Sequence, residues 1–169
     1  MNFIKNFFVY AFFISFLCLI QISIFNPIFF GLYTYIYILF VLVYPYRGNR
    51  FIFLLLSFTI GFIIDKFMNT GGNHAFSTTI SAFFRLKFLQ FFDGKNFINI
   101  SSFSIYELPF IRKTLYIFSL VMTHHLSLFV LEIFKIANFS KIILLKTIFS
   151  SIFTTILCII YFFFRKIKH

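Results

Sequence analysis

The sequence predicts an all-α integral membrane protein, a single polytopic domain over residues 1–169 with about six transmembrane helices, and three observations carry that prediction. Hydrophobic residues make up 61% of the chain and charged residues only 11%, with a mean hydropathy of +0.98, outside the range of soluble domains. Apolar runs of roughly 20 residues, enough to cross a hydrocarbon core about 30 Å thick, recur along the chain between charge or turn residues. The net charge of +11 gathers mainly around the connections, where a membrane protein carries its orientation signal, so it is not read as a nucleic-acid surface.

The first span is expected at 6–25. No small-x-small cleavage site follows the run FFVYAFFISFLCLI, and Leu17 before Cys18 makes a poor lipoprotein box, so the segment is expected to remain as a helix. The second span is expected at 28–44, between Asn26-Pro27 and Tyr44-Pro45, because the residue before proline is pushed out of the helical region. A third at 51–68 ends before Gly71-Gly72, whose backbone freedom breaks the helix, and a fourth covers 74–92. The connection from Asp93 to Ile111 is read as an ordinary loop, ahead of spans at 112–134 and 142–164. Several spans are short for a crossing, which implies tilt or partial burial.

With six spans and the N-terminus inside, eleven of the fifteen basic residues lie on or near the cytoplasmic side, among them Lys5, Arg47, Arg50, Lys95 and Arg165. Lys66, Lys135, Lys141 and Lys146 fall outside. That asymmetry predicts cytoplasmic N- and C-termini. The 33 Phe match the composition of an A+T-biased coding sequence, so phenylalanine stripes carry no functional weight. Cys18 and Cys158 sit in apolar runs as small hydrophobes, without metal or disulfide spacing. Asn99-Ile100-Ser101 and Asn138-Phe139-Ser140 match a glycosylation sequon at the level expected by chance.

Charged side chains at bilayer depth cost roughly 2.5–3.5 kcal/mol on insertion scales, which singles out Asp65, His124, His125 and Glu132. Asp65 closes an apolar run in IGFIIDKFMNTGGNHAFS. At about 1.5 Å rise per residue it lies roughly 22 Å along its helix from Arg50, and His125 lies roughly 20 Å from Arg112. Similar depth makes a meeting between them the expectation. His125 and Glu132, seven apart, share a helix face. The favoured reading is that Asp65, His125 and Glu132 satisfy one another by hydrogen bonds and fix helix register; a proton relay, an ion site and a partner-helix dock are the alternatives. Adjacent His124 and His125 point about 100° apart, which disfavours a metal site. Arg85 is expected to snorkel to the cytoplasmic interface. Ser77, Thr78, Thr79, Ser81 and Ala82 give the fourth span a small face that permits close helix approach. No nucleophile elbow, phosphate-binding loop or zinc signature is present and carboxylates are few, so neither catalysis nor a cofactor is expected.

The order Tyr44-Pro45, Gly61, Asp65, Gly72, His74-Ala75, Ser77, Ala82 and Arg85, followed by His124-His125 and Phe129-x-x-Glu132, resembles the rod shape-determining protein MreD family over nearly the whole chain. The stretch from Gly61 to Arg85 carries most of the likeness, with departures at Lys66 and Gly71. The resemblance implies a non-enzymatic scaffold of the bacterial inner membrane that binds the membrane helix of MreC and, through it, works with MreB, RodA and a penicillin-binding transpeptidase in peptidoglycan synthesis. It also implies a fold like the substrate-capture subunits of energy-coupling-factor transporters. A second function class follows from that fold: a small-solute, vitamin-like transport subunit with a pocket open to the outside near Asn69, Asn73 and His74.

Overall fold

Helix ends in the computed structural model, which describes residues 2–28, 34–46, 48–93, 105–106, 108–136 and 141–167, follow local chemistry. Helix α1 (Asn2–Ile20) widens into a π-helical segment (Gln21–Phe25) and continues as a last turn, α2 (Asn26–Ile28). The stop expected at Asn26-Pro27 is therefore a distortion placed upstream. Proline lacks an N–H and crowds the carbonyl four residues back, and the wider turn accommodates it.

The expected second span is only partly helical among the described residues. A 3-10 turn (Ile36–Ile38) leads into α3 (Leu39–Val43), and together they rise about 13 Å, under half of the hydrocarbon core. Tyr37 through Leu42 are 0–3% exposed, so this short element is wrapped by protein. Tyr44, in extended backbone before Pro45, ends it as the sequence predicts.

Asn49 caps α4 (Arg50–Met68): its side-chain oxygen accepts from the backbone N–H of Phe51 at 2.8 Å. Asn69, left-handed at φ 55°, ends that helix, with its N–H returned to the Asp65 carbonyl. Helices α5 (Asn73–Asp93), α6 (Phe110–Ile136) and α7 (Lys141–Ile167) follow. Each packs on the next, so α5 sits against both α4 and α6, while α3 packs against α5 and α1 against α3 and α4.

Among the described residues, four stretches are long and apolar enough to cross a membrane: Phe8–Phe25, Arg50–Met68, Phe110–Phe134 and Leu144–Arg165. Their outward faces carry large exposed apolar side chains such as Phe12, Phe51, Phe58, Phe134 and Phe163. The chain is an all-α, membrane-embedded protein, with no strand among the described residues. Helix α5, at 21 residues, has the length to cross, but its inward face is polar, with His74, Ser77, Thr78, Ser81 and Arg85 all buried. Arg47, Lys95, the two sequons and most of the connection between α5 and α6 lie outside the described residues.

Candidate functional site

The helix α5 begins at a glycine that cannot cap it. Gly72 accepts the first intrahelical bond, from Phe76 N–H at 3.0 Å, but has φ +102° and no side chain to satisfy the next free N–H groups. Asp65, reaching across from α4, does so instead. Its Oδ1 accepts from the backbone N–H of His74 at 3.0 Å, and its Oδ2 from that of Ala75 at 2.8 Å. The Thr70 hydroxyl also donates to Oδ1. A carboxylate 4% exposed is thereby placed on the positive end of α5, which explains an acid at the end of an apolar run.

One turn earlier on the same face, Gly61 lets the two backbones touch. A Cβ there would lie 2.5 Å from Ala75 Cα and 2.5 Å from the His74 carbonyl oxygen. Gly61, Asp65, Gly72, His74 and Ala75 thus form one junction between α4 and α5. The small face of α5 belongs to the same packing: Ser77, Thr78, Ser81 and Ala82 are buried within the chain.

Asp65, His125 and Glu132 do not satisfy one another. Equal depth placed Asp65 and His125 together, but α5 packs between the helices that carry them, and the Asp65 carboxylate is taken up by its N-terminus. The His125 Nδ1 donates to the Val121 carbonyl oxygen at 2.8 Å, within its own helix. Glu132 is exposed.

His74 and His124 meet through a residue that a scan for charges passes over. The Tyr37 hydroxyl lies 2.7 Å from His74 Nδ1 and 2.8 Å from His124 Nε2. The hydroxyl thus bridges the two rings, and His124 Nδ1 is buried without a partner. The Tyr35 ring packs against His74, His124 and His125 at 5.2–5.8 Å between centroids. The His124 and His125 rings meet edge to face at 5.4 Å between centroids, and among the described residues no three His, Cys, Asp or Glu converge as a metal site.

Arg85 corrects the expectation of snorkelling. It is 2% exposed, and its guanidinium donates to the carbonyl oxygens of Tyr44 and, at 3.4 Å, Leu42, at the C-terminal end of α3. It also lies 3.9 Å from the Tyr46 ring centroid. The acid on a helix N-terminus has its counterpart in a cation on a helix C-terminus. Gln21 was equally hidden. Fully buried in the π-helical segment, it donates through Nε2 to the Thr34 carbonyl at 2.8 Å and accepts at Oε1 from Ile36 N–H at 2.8 Å, pinning the chain ahead of α3. An amide inside an apolar run is the signal that identifies it.

An apolar groove of about 600 Å3 runs between α4 and α5 and borders this junction, lined by Phe58, Phe62 and Phe76 together with the junction residues Asp65, Gly72 and Ala75, with Lys66, Asn69 and Gly71 at its polar end. Comparison with known families, characterised proteins and solved structures returns no match.

Proposed function

We propose that the chain is a non-enzymatic, multi-pass scaffold of the bacterial inner membrane, with both termini cytoplasmic, that binds MreC and supports peptidoglycan synthesis and cell shape. The observation that carries this reading is that the residues of the MreD-like stretch act as one device: Gly61, Asp65, Gly72, His74 and Ala75 lock α4 to α5. On this reading the short α3 segment, too short to cross by itself, belongs to the sixth membrane element, in a fold like the capture subunits of energy-coupling-factor transporters. MreB, RodA and a penicillin-binding transpeptidase are reached through MreC.

The buried small face of α5 leaves no room for a partner helix, so the dock is assigned to the groove beside the junction. Helix association in lipid depends on close packing, and the Phe58-Phe62-Phe76 groove is an apolar channel of the right kind. A photo-crosslinking amino acid at Phe62 is expected to capture the membrane helix of MreC in cells, while the same group at Phe163 on α7, also exposed, is not. Capture from Phe163 and none from Phe62 would move the dock to another face.

The second reading is a small-solute transport subunit. The same groove favours it, because Asn69 and Gly71, at the end expected to face outward, are among the residues that line it. Transport would require an energising ATPase partner.

A further inference from the structure

Arg50 and Lys87 belong to different helices and lean on the same ring. Arg50 Cζ lies 5.1 Å and Lys87 Nζ 5.7 Å from the centroid of Phe83, and Lys87 Nζ is 5.4 Å from that of Phe84. The register between α4 and α5 brings this about. The two helices run antiparallel with Gly61 against Ala75, so Arg50, eleven residues before Gly61, stands level with Leu86, eleven after Ala75. Both basic side chains are exposed, at the edge of an apolar wall made by Phe51 and Leu55 on α4 and by Phe83 and Phe84 on α5. This is the opposite end of the two helices from Lys66 and Asn69.

Beside Arg50 lies a recess of about 30 Å3, lined by Arg50 and Arg85 together with Tyr46, Gly48 and Phe53. Among the described residues no carboxylate lines it. Arg85 is buried and held by the Tyr44 and Leu42 carbonyls, so it contributes its field and not a contact. Asp93, the acid that α5 carries, is buried six residues beyond Lys87, about 9 Å along the helix. The start of α4 adds little, because the Asn49 side chain already takes the Phe51 N–H. What remains is two exposed cations that repel one another across one ring, backed by a guanidinium that keeps its charge. An anion between them offsets all three.

We propose that Arg50 and Lys87 seat the phosphate of an anionic phospholipid at the membrane surface. Both side chains donate to phosphate oxygens, and Arg50 can do so through two parallel N–H groups. The recess admits one or two of those oxygens, since roughly 10–15 Å3 of such space holds one water. The acyl chains lie along Phe51 and Leu55, and that apolar contact is what selects a lipid over a soluble anion. A zwitterionic headgroup brings a cation of its own to three fixed positive charges, so the anionic one is preferred. Basic pockets between membrane helices are a recurrent form of such sites. The inference goes beyond the scaffold reading and does not depend on it.

Thermal unfolding of the delipidated full-length chain in neutral detergent tests this with three probes: phosphatidylglycerol, phosphatidylcholine and inorganic phosphate. Phosphatidylglycerol is expected to raise Tm by about 3 °C or more, through binding to the folded state, and the other two by under about 1 °C. The double variant Arg50→Gln with Lys87→Gln is expected to keep the lipid-free Tm, both side chains being exposed, and to lose most of the shift. Lys87→Gln alone is expected to lose about half of it. Lys66→Gln, an exposed cation over the Phe62 ring at the other end of α4, is the control and is expected to keep it. No shift with phosphatidylglycerol, an equal shift with phosphatidylcholine, or the same loss in the Lys66 control would overturn the proposal. An equal shift with inorganic phosphate would overturn it in favour of a soluble anion. Loss of the lipid shift alongside normal MreC capture would leave the scaffold reading intact, so the two fail separately.

Discussion

Replacing Asp65 by Leu is expected to lower the stability of the folded chain in detergent by about 4 kcal/mol. The carboxylate accepts from His74 N–H, Ala75 N–H and the Thr70 hydroxyl, and hydrogen bonds to a charged group contribute roughly 1.5–3 kcal/mol each. Leu leaves the two backbone N–H groups without their acceptor at the buried start of α5, and removes an anion from the positive helix end. Added apolar burial returns only about 2 kcal/mol of that loss. Asp65→Asn keeps the size and an acceptor oxygen but turns an N–H2 toward a donor, so it is expected at about half the effect. Urea unfolding in detergent reads both. A loss under about 1 kcal/mol for the Leu variant would mean that capping α5 is not what Asp65 is for.

Gly61→Ala is expected to be nearly as damaging, at about 3 kcal/mol, although it adds a single methyl group. The new Cβ would sit 2.5 Å from Ala75 Cα and 2.5 Å from the His74 carbonyl oxygen. Both are backbone atoms, which cannot rotate away, so α4 and α5 must separate and carry the Asp65 cap out of register. Overpacking of this kind costs typically about 1–3 kcal/mol, and a clash with backbone lies at the upper end. Phe58→Ala, on the exposed face of the same helix, is the control and is expected to cost under about 1 kcal/mol. Equal effects at the two positions would contradict the close approach.

These two residues also mark what was legible in the sequence. The all-α membrane class was plain, because hydropathy and run length report the solvent that surrounds each helix. Asp65 stood out because a charge in an apolar run has to be matched, yet its partner did not. Depth along a helix is readable from residue count, whereas rotation about its axis depends on packing; Asp65 was matched to His125 when its true partner was the backbone at the start of α5. Backbone N–H groups have no letter of their own in a sequence. The glycine at position 72 was readable as a turn, but not as a helix start in need of a borrowed cap. Arg85 misled for a related reason: near Lys87 it looked interfacial, and its burial is explained by the carbonyls at the end of α3 together with the Tyr46 and Phe53 rings. Tyr37 and Gln21 were hidden among nine tyrosines and a long apolar run, being polar without being charged.

The role proposed for this membrane bundle is that of a scaffold in wall synthesis. Affinity purification of the tagged protein from its own cells in mild detergent, with mass spectrometry of the proteins that accompany it, tests that most directly. The expected result is recovery of MreC together with RodA and a penicillin-binding transpeptidase. Recovery of ATPase subunits with none of the wall-synthesis proteins would contradict it and assign the same bundle to solute transport.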